Sequence, residues 1–238
     1  MKKDLQKVKK RKIKPFLWFV ILLVLVISAI ILLLHKPKDY APLHIADQNQ
    51  ISTFVTHYLM PTVYNNSQLD EPFEVVITQE GLNDTIARWR QPMNFNKITF
   101  TDPQVILTQK QIIFMTTAQT HLANPILTVR LTPMIDSFGR LNIHVDSVSL
   151  GAIGVTTLAK SVGNKAFADW MAFTGTDPND IIPQTCRSML NDESFEPVFK
   201  FNDKSLRICK IKLEAKKITA LLLPVSEPPN QFHKNKSY

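Results

Sequence analysis

The sequence predicts an α+β protein, and three observations carry that prediction. An uncharged, almost wholly apolar run follows a basic N-terminal stretch; apolar residues then recur at helical spacing; and the period changes to two across the middle and again at the end. The expected form is an N-terminal transmembrane helix plus a domain in which a curved antiparallel sheet packs on amphipathic helices.

The helix comes first. Phe16 to Leu34 contains no charge, and only Ser28 interrupts its apolar character. At about 1.5 Å per residue such a run spans about 28 Å, close to the thickness of a hydrocarbon core. A cleaved signal peptide is the competing reading. The run is longer than a typical signal-peptide core, however, and it exits into "HKPKDYAP" without an A-x-A site. Residues 1–14 hold eight Lys or Arg against Asp4 alone, so the formal charge of +8 is concentrated there and the remainder is near neutral. A local basic cluster before an apolar run sets orientation, with the N-terminus cytoplasmic and the rest exported across the cell membrane. No folded reader or aromatic platform accompanies the cluster, so nucleic acid is not an expected partner, whereas anionic lipid headgroups are.

The expected organisation is a basic tail over 1–15, the transmembrane helix over 16–34, a tether over 35–46, the exported α+β domain over 47–224, and a polar tail over 225–238. In "DQNQISTFVTHYLM", Ile51, Phe54, Val55, Tyr58 and Leu59 share one helical face, and Pro61 is expected to end the helix. "FEVVIT" reads as a strand, and Thr78 is placed to cap the helix "QEGLNDTIARW", on which Leu82, Ile86 and Trp89 share a face.

Four alternating stretches follow, around "ITFTDPQVIL", "QIIFMTTAQTHL", "ILTVRLTPMID" and "RLNIHVDSVSLGAIGV". Leu127, Val129 and Leu131 alternate with Thr128, Arg130 and Thr132, the pattern of a sheet with one wet face. In the fourth stretch the apolar parity slips at Asp146–Ser147, which predicts a β-bulge. Gly139 in "DSFGR" is placed to supply a positive φ. Beyond Gly154, Leu158, Val162, Ala166 and Trp170 lie at i+4 steps, with Phe167 and Met171 beside them. "IIPQTCRSMLND" predicts a short helix. The end, "FEPVFKFNDKSLRICKIKLEAKKITALLLPV", predicts three strands in which Cys209 alternates in phase with Ile211 and Leu213 and so faces inward.

Catalytic signatures are missing from the sequence: there is no G-x-S-x-G, H-E-x-x-H, P-loop or G-x-G-x-x-G. The six histidines have no ligand spacing, and His144 falls on the polar parity of its strand. The expectation is therefore no catalytic residue, no metal and no cofactor. Cys186 and Cys209 are either a disulfide of an oxidising compartment or two small buried hydrophobes, and the sequence leaves both open. The sequons "NNS" and "NDT" carry no meaning outside a eukaryotic secretory pathway, and the anchor has a bacterial look. The apolar surplus on facing elements marks Leu82, Ile86, Trp89, Phe100, Phe114, Leu158, Val162 and Trp170 as candidates for a groove that takes acyl chains, or alternatively as an ordinary packed core.

The succession "FEVVITQEGLNDTIARW", "ITFTDPQVIL" and "LTVRLTPMIDSFGRLNIHVDSVSLGAIGV", followed by an amphipathic helix, resembles the YpmS-type membrane-anchored bacterial proteins. More loosely, it is similar to the tubular lipid-binding (TULIP) group, in which a curved sheet wraps a long helix around lipid. The resemblance spans roughly residues 73–172 and rests on element order rather than reactive residues. It implies an exported lipid-handling module in which the closing strands add an edge to the sheet. The expected function is non-catalytic binding of a lipid or other apolar ligand next to the membrane. The alternative is an envelope scaffold with a closed core that docks a protein partner.

Overall fold

The structure, a computed structural model, describes residues 14–45, 50–88, 93–95 and 98–225. The predicted basic tail up to residue 13 and the polar tail beyond residue 225 lie outside the described residues. The architecture is α+β with two antiparallel sheets rather than one.

Helix α1 covers Lys14–Leu33. Its side chains are described from Trp18 onward, and all of them to the end of the helix except Leu33 stand exposed. Among the described residues no helix is long and apolar enough to cross a membrane. The last turn of α1 is nonetheless fixed in place. The N–H of Ala152 donates to the carbonyl of Leu32 at 2.8 Å, and Gly151 (φ +57°) lies so close to the Leu32 and Leu33 carbonyls that a Cβ would collide with both.

The segment expected to be a simple tether is stitched to the protein. The Tyr40 hydroxyl donates to the carbonyl of Asp102 at 2.7 Å and shares a 2.8 Å hydrogen bond with Thr117 Oγ1. Gln104 accepts from the N–H of Ala41 at 2.7 Å and donates to the carbonyl of Asp39 at 3.2 Å. Tyr40 is buried with Met115 and Ile126.

Pro61 does not end the first helix of the domain. A π-helical turn, Val55–Leu59, runs directly into helix α2, Met60–Ser67, with Pro61 in its first turn. Proline has no N–H to give and its ring crowds the preceding turn. Here the N–H of Met60 reaches one residue further back, to Val55, and the wider turn makes room. The expected apolar face is only partly used, because Ile51 and Tyr58 remain exposed. Strand β1 is Phe73–Thr78, and helix α3 is Gln79–Ala87. Thr78 caps α3 as expected, accepting from the N–H of Gly81 at 3.1 Å.

Strands β2 (Met93–Phe95), β3 (Ile98–Leu107), β4 (Ile112–Gln119), β5 (Ile126–Ile135), β6 (Leu141–Leu150) and β7 (Ile153–Gly154) form one sheet in sequential order. The bulge lies where the parity slips: Ser147 pairs with Arg130 and Val145 with Leu131, so Asp146 is the extra residue. Gly139 has φ +76° in the β5–β6 turn. Helix α4 (Thr156–Thr174) and helix α5 (Ile181–Asn191) follow.

Strands β8 (Val198–Phe201), β9 (Lys204–Glu214) and β10 (Lys217–Val225) do not extend that sheet, contrary to the implied added edge. β10 pairs antiparallel with β1, and the second sheet has the order β1-β10-β9-β8. Its core of Val63, Phe73, Val75, Leu206 and Leu222 holds it to α2. Cys209 sits at a bulge between the Ile208–Leu222 and Lys210–Leu221 pairs and is half-buried, as are Ile211 and Leu213. Both cysteines are free.

The two sheets set an axis. At one end the N–H of Lys216 donates to the carbonyl of Leu107 at 3.0 Å, and Leu141 bridges Phe195, which places the second sheet beside the β3–β4 and β5–β6 turns. At the opposite end lie the β4–β5 and β6–β7 turns, joined by the N–H of Gly151 to the carbonyl of Ile126 at 2.8 Å. The end of α1 docks there.

Candidate apolar site on the six-stranded sheet

Register fixes which side chains share a face. Val105, Phe114, Val129 and Val148 form one cross-strand row, and Leu107, Ile112, Leu131 and Val145 the next. The outer members are buried: Val105 and Leu107 on β3, Val145 and Val148 on β6. The inner members Ile112 and Phe114 on β4, and Leu127, Val129 and Leu131 on β5, are half-buried.

The helices pack where the rows are buried. α3 lies on β3, and α4 and α5 lie on β6. Side chains that replace a missing strand make these attachments. Asn83 donates to the carbonyl of Val105 at 2.8 Å and accepts from its N–H at 2.7 Å, while Gln79 accepts from the N–H of Leu107 at 2.8 Å. This covers the exposed edge of β3, which would otherwise invite another strand. Along β6, Ser188 of α5 accepts from the N–H of Ile143 at 2.7 Å, and Thr156 of α4 accepts from the N–H of Val148 at 2.9 Å. Half-buried aliphatic and aromatic side chains thus remain on the central strands between two helix-covered margins.

The residues marked from the sequence divide accordingly. Phe100 and Phe114 lie on the same face, Phe100 opposite Ala118 and Phe114 opposite Val129. Leu82 and Ile86 are half-buried on α3, at the β3 margin. Trp89 lies outside the described residues. Leu158, Val162 and Trp170 do not join them; they stand exposed, and α4 has no buried residue at all. Their helical spacing identified a common face correctly but not its surroundings.

The opposite face corrects a second expectation. Thr128 was placed on a wet face, yet it is only 2% exposed, and its Oγ1 has no hydrogen-bond partner among the described residues. The cover over that part of the sheet comes from the tether, with Tyr40 packed on Met115 and Ile126, the neighbours of Thr128 in register and sequence. The face is wet only further along, where Thr132 donates to Asp146 at 2.7 Å.

One charged cluster joins three elements. Asp192, the residue after α5, meets Lys160 of α4 at 2.9 Å and His144 of β6 at 2.7 Å. The Lys160 hydrogen bond holds the Asp192 carboxyl below the usual carboxylate range, and His144 adds to this. It is a clamp at the base of the α4–α5 hairpin. A second ion pair, Arg88 to Asp84 at 2.9 Å, fixes the end of α3, with Ser52 donating to the same carboxylate. Among the described residues no group of three or more His, Cys, Asp or Glu is placed to hold a metal ion.

Sequence reasoning missed Tyr40, Gln104, Asn83 and Gln79. Each acts through a partner far along the chain, and the only local signal is an amide or phenol beside otherwise apolar elements. No family model matches the chain, and no curated protein or solved structure matches it.

Proposed function

We propose that the chain is a single-pass, membrane-anchored cell-envelope protein whose outer domain shelters an acyl chain or similar apolar ligand along strands β4 and β5, without making or breaking a bond. The carrying observation is the half-buried patch of Ile112, Phe114, Leu127, Val129 and Leu131 on β4 and β5, between margins covered by α3 and by α4 with α5. Bare apolar area of this kind gains about 25 cal/mol per Å² when covered by hydrocarbon. The anchor reading draws on the same principle. α1 exposes Trp18, Phe19, Leu22, Leu25 and Ile31 along its length, and the basic residues before it orient its start to the cytoplasm. The resemblance to YpmS-type and TULIP proteins points the same way.

The test uses the full-length chain in lipid nanodiscs containing a phospholipid with a photoreactive acyl chain. The expected crosslinks fall on peptides of β4 and β5, and Phe114→Asp removes them while leaving those on α1. Crosslinks confined to α1, with none on the sheet, would overturn the ligand-binding reading and leave a closed scaffold that docks a protein partner.

A further inference from the structure

The exposed apolar face of α4, together with the tip of the β4–β5 turn, points to a second contact with the bilayer: we propose that Leu122, Leu158 and Val162 rest in the headgroup boundary of the membrane in which α1 sits. This rests on the anchor reading of α1.

Three placements carry it. First, the end of α1 is clamped to the β6–β7 turn by the Ala152 to Leu32 hydrogen bond, and α4 starts at Thr156, four residues after Ala152. Val155 and Thr156 are themselves bonded to the backbone of Val148, so the first turn of α4 is held near the point where α1 leaves off. Second, the exposed apolar residues of α4 are not scattered. Leu158 (63% exposed), Val162 (46%), Phe173 (91%) and Trp170 fall within an arc of about 120° on a helix advancing about 100° per residue. Ala159 and Ala166 lie inside the arc, Asp169 is its one charge, and Lys165 flanks it. Exposed apolar side chains held beside a bilayer gain by sinking into its headgroup boundary. Third, Leu122, 98% exposed, stands on the β4–β5 turn at the same end of the sheet. The Gly151 to Ile126 hydrogen bond joins that turn to the α1 docking point. Phe138 is also exposed, but it lies in the β5–β6 turn beyond the far end of β5, roughly 30 Å away at about 3.3 Å per strand residue.

The consequence is orientation. With only α1 in the bilayer the domain could swivel; with three apolar points at one end, the sheet stands on the membrane and its central strands take a fixed aspect to the lipid.

The experiment places an environment-sensitive fluorophore on single cysteines introduced by Leu122→Cys, Leu158→Cys or Phe138→Cys, in the full-length chain with Cys186→Ala and Cys209→Ala. All three positions are exposed, so labelling does not disturb packing. In nanodiscs carrying nitroxide-labelled lipid, quenching of about twofold or more is expected at Leu122 and Leu158, as for groups inside the headgroup boundary, and none at Phe138. In a chain with Trp89→Phe and Trp170→Phe, quenching of Trp18 reports on the anchor separately. A quenched Trp18 with unquenched 122 and 158 probes overturns this inference and leaves the anchor standing. An unquenched Trp18 overturns the anchor reading and this inference with it. Shielding of the 158 probe that disappears on dilution would assign the face to a second copy and equally overturn the proposal.

Discussion

The N–H of Ala152 donates to the carbonyl of Leu32 across 2.8 Å, joining residues that five strands of the six-stranded sheet, β2 to β6, separate in sequence. The contact is possible because Gly151, beside it, has no side chain. A Cβ there would collide with the Leu32 and Leu33 carbonyls, and φ +57° is a conformation that L-residues adopt at a penalty of about 1 kcal/mol or more. Gly151→Ala should therefore release α1 from the β6–β7 turn without unfolding either sheet. Faster amide exchange at Ala152 and faster tryptic cleavage after Lys38 are the expected readouts. Unchanged protection in both would show that the docking does not depend on this glycine.

Tyr40→Phe should loosen the tether from the sheet. The substitution keeps the buried ring on Met115 and Ile126 but strands the Thr117 hydroxyl and the Asp102 carbonyl. A loss of about 1–2 kcal/mol is expected in denaturant unfolding. The phenol also sets an alkaline limb. Burial raises its pKa above the ordinary 10.0, the Thr117 hydrogen bond opposes this, and the Asp102 charge adds to it. A raised folded value means that the contribution is complete below the ordinary value and is lost as pH rises through the folded one. Melting temperature followed above pH 10 should fall more steeply in the parent chain than in Tyr40→Phe.

Asp192→Asn should weaken the base of the α4–α5 hairpin, chiefly at low salt. Asn tolerates the left-handed φ of +59° at this position, so the change isolates the charge. Lys160, then His144, holds the carboxyl of Asp192 below its ordinary value. A depressed carboxylate contributes above the ordinary range and loses that contribution as pH falls through the folded value. The group is 43% exposed, so screening keeps the effect at or below about 1 kcal/mol. Amide exchange in α4 should rise in the variant at neutral pH and converge with the parent as pH falls through the lowered folded value of Asp192. Equal exchange at low salt and neutral pH would remove the clamp.

What could be read from the sequence was local in origin. The alternation of Leu127, Val129 and Leu131 set a strand; the parity slip at Asp146 set a bulge; Thr78 and Gly139 set a cap and a turn; each needs only its neighbours. The failures share the opposite property. β10 pairs with β1 across more than a hundred residues, and nothing in "ITALLLPV" names that partner. Periodicity grouped Leu158, Val162 and Trp170 on one face of α4, but a period says which side chains are together and not what covers them. The same gap let Thr128 pass for a wet residue, since its cover arrives from Tyr40. At Pro61 the general rule was right about the missing N–H, and the π-helical turn before it absorbed the consequence.

Thr128→Val should stabilise the protein. The Thr128 hydroxyl is buried beneath the tether with no partner among the described residues, while Thr116, buried to the same degree, donates to the carbonyl of Thr101 at 2.7 Å. An unpaired buried hydroxyl forfeits its hydration for nothing, a deficit of about 1–3 kcal/mol. Valine has nearly the same shape and suits a strand, so the gain should approach about 1 kcal/mol and appear as a higher denaturation midpoint with an unchanged slope. Thr116→Val is the matched control, and it should move the midpoint the other way because it leaves the Thr101 carbonyl unsatisfied. A Thr128→Val midpoint below that of the parent chain would mean that the hydroxyl has a partner in solution, such as a trapped water between Tyr40 and the sheet.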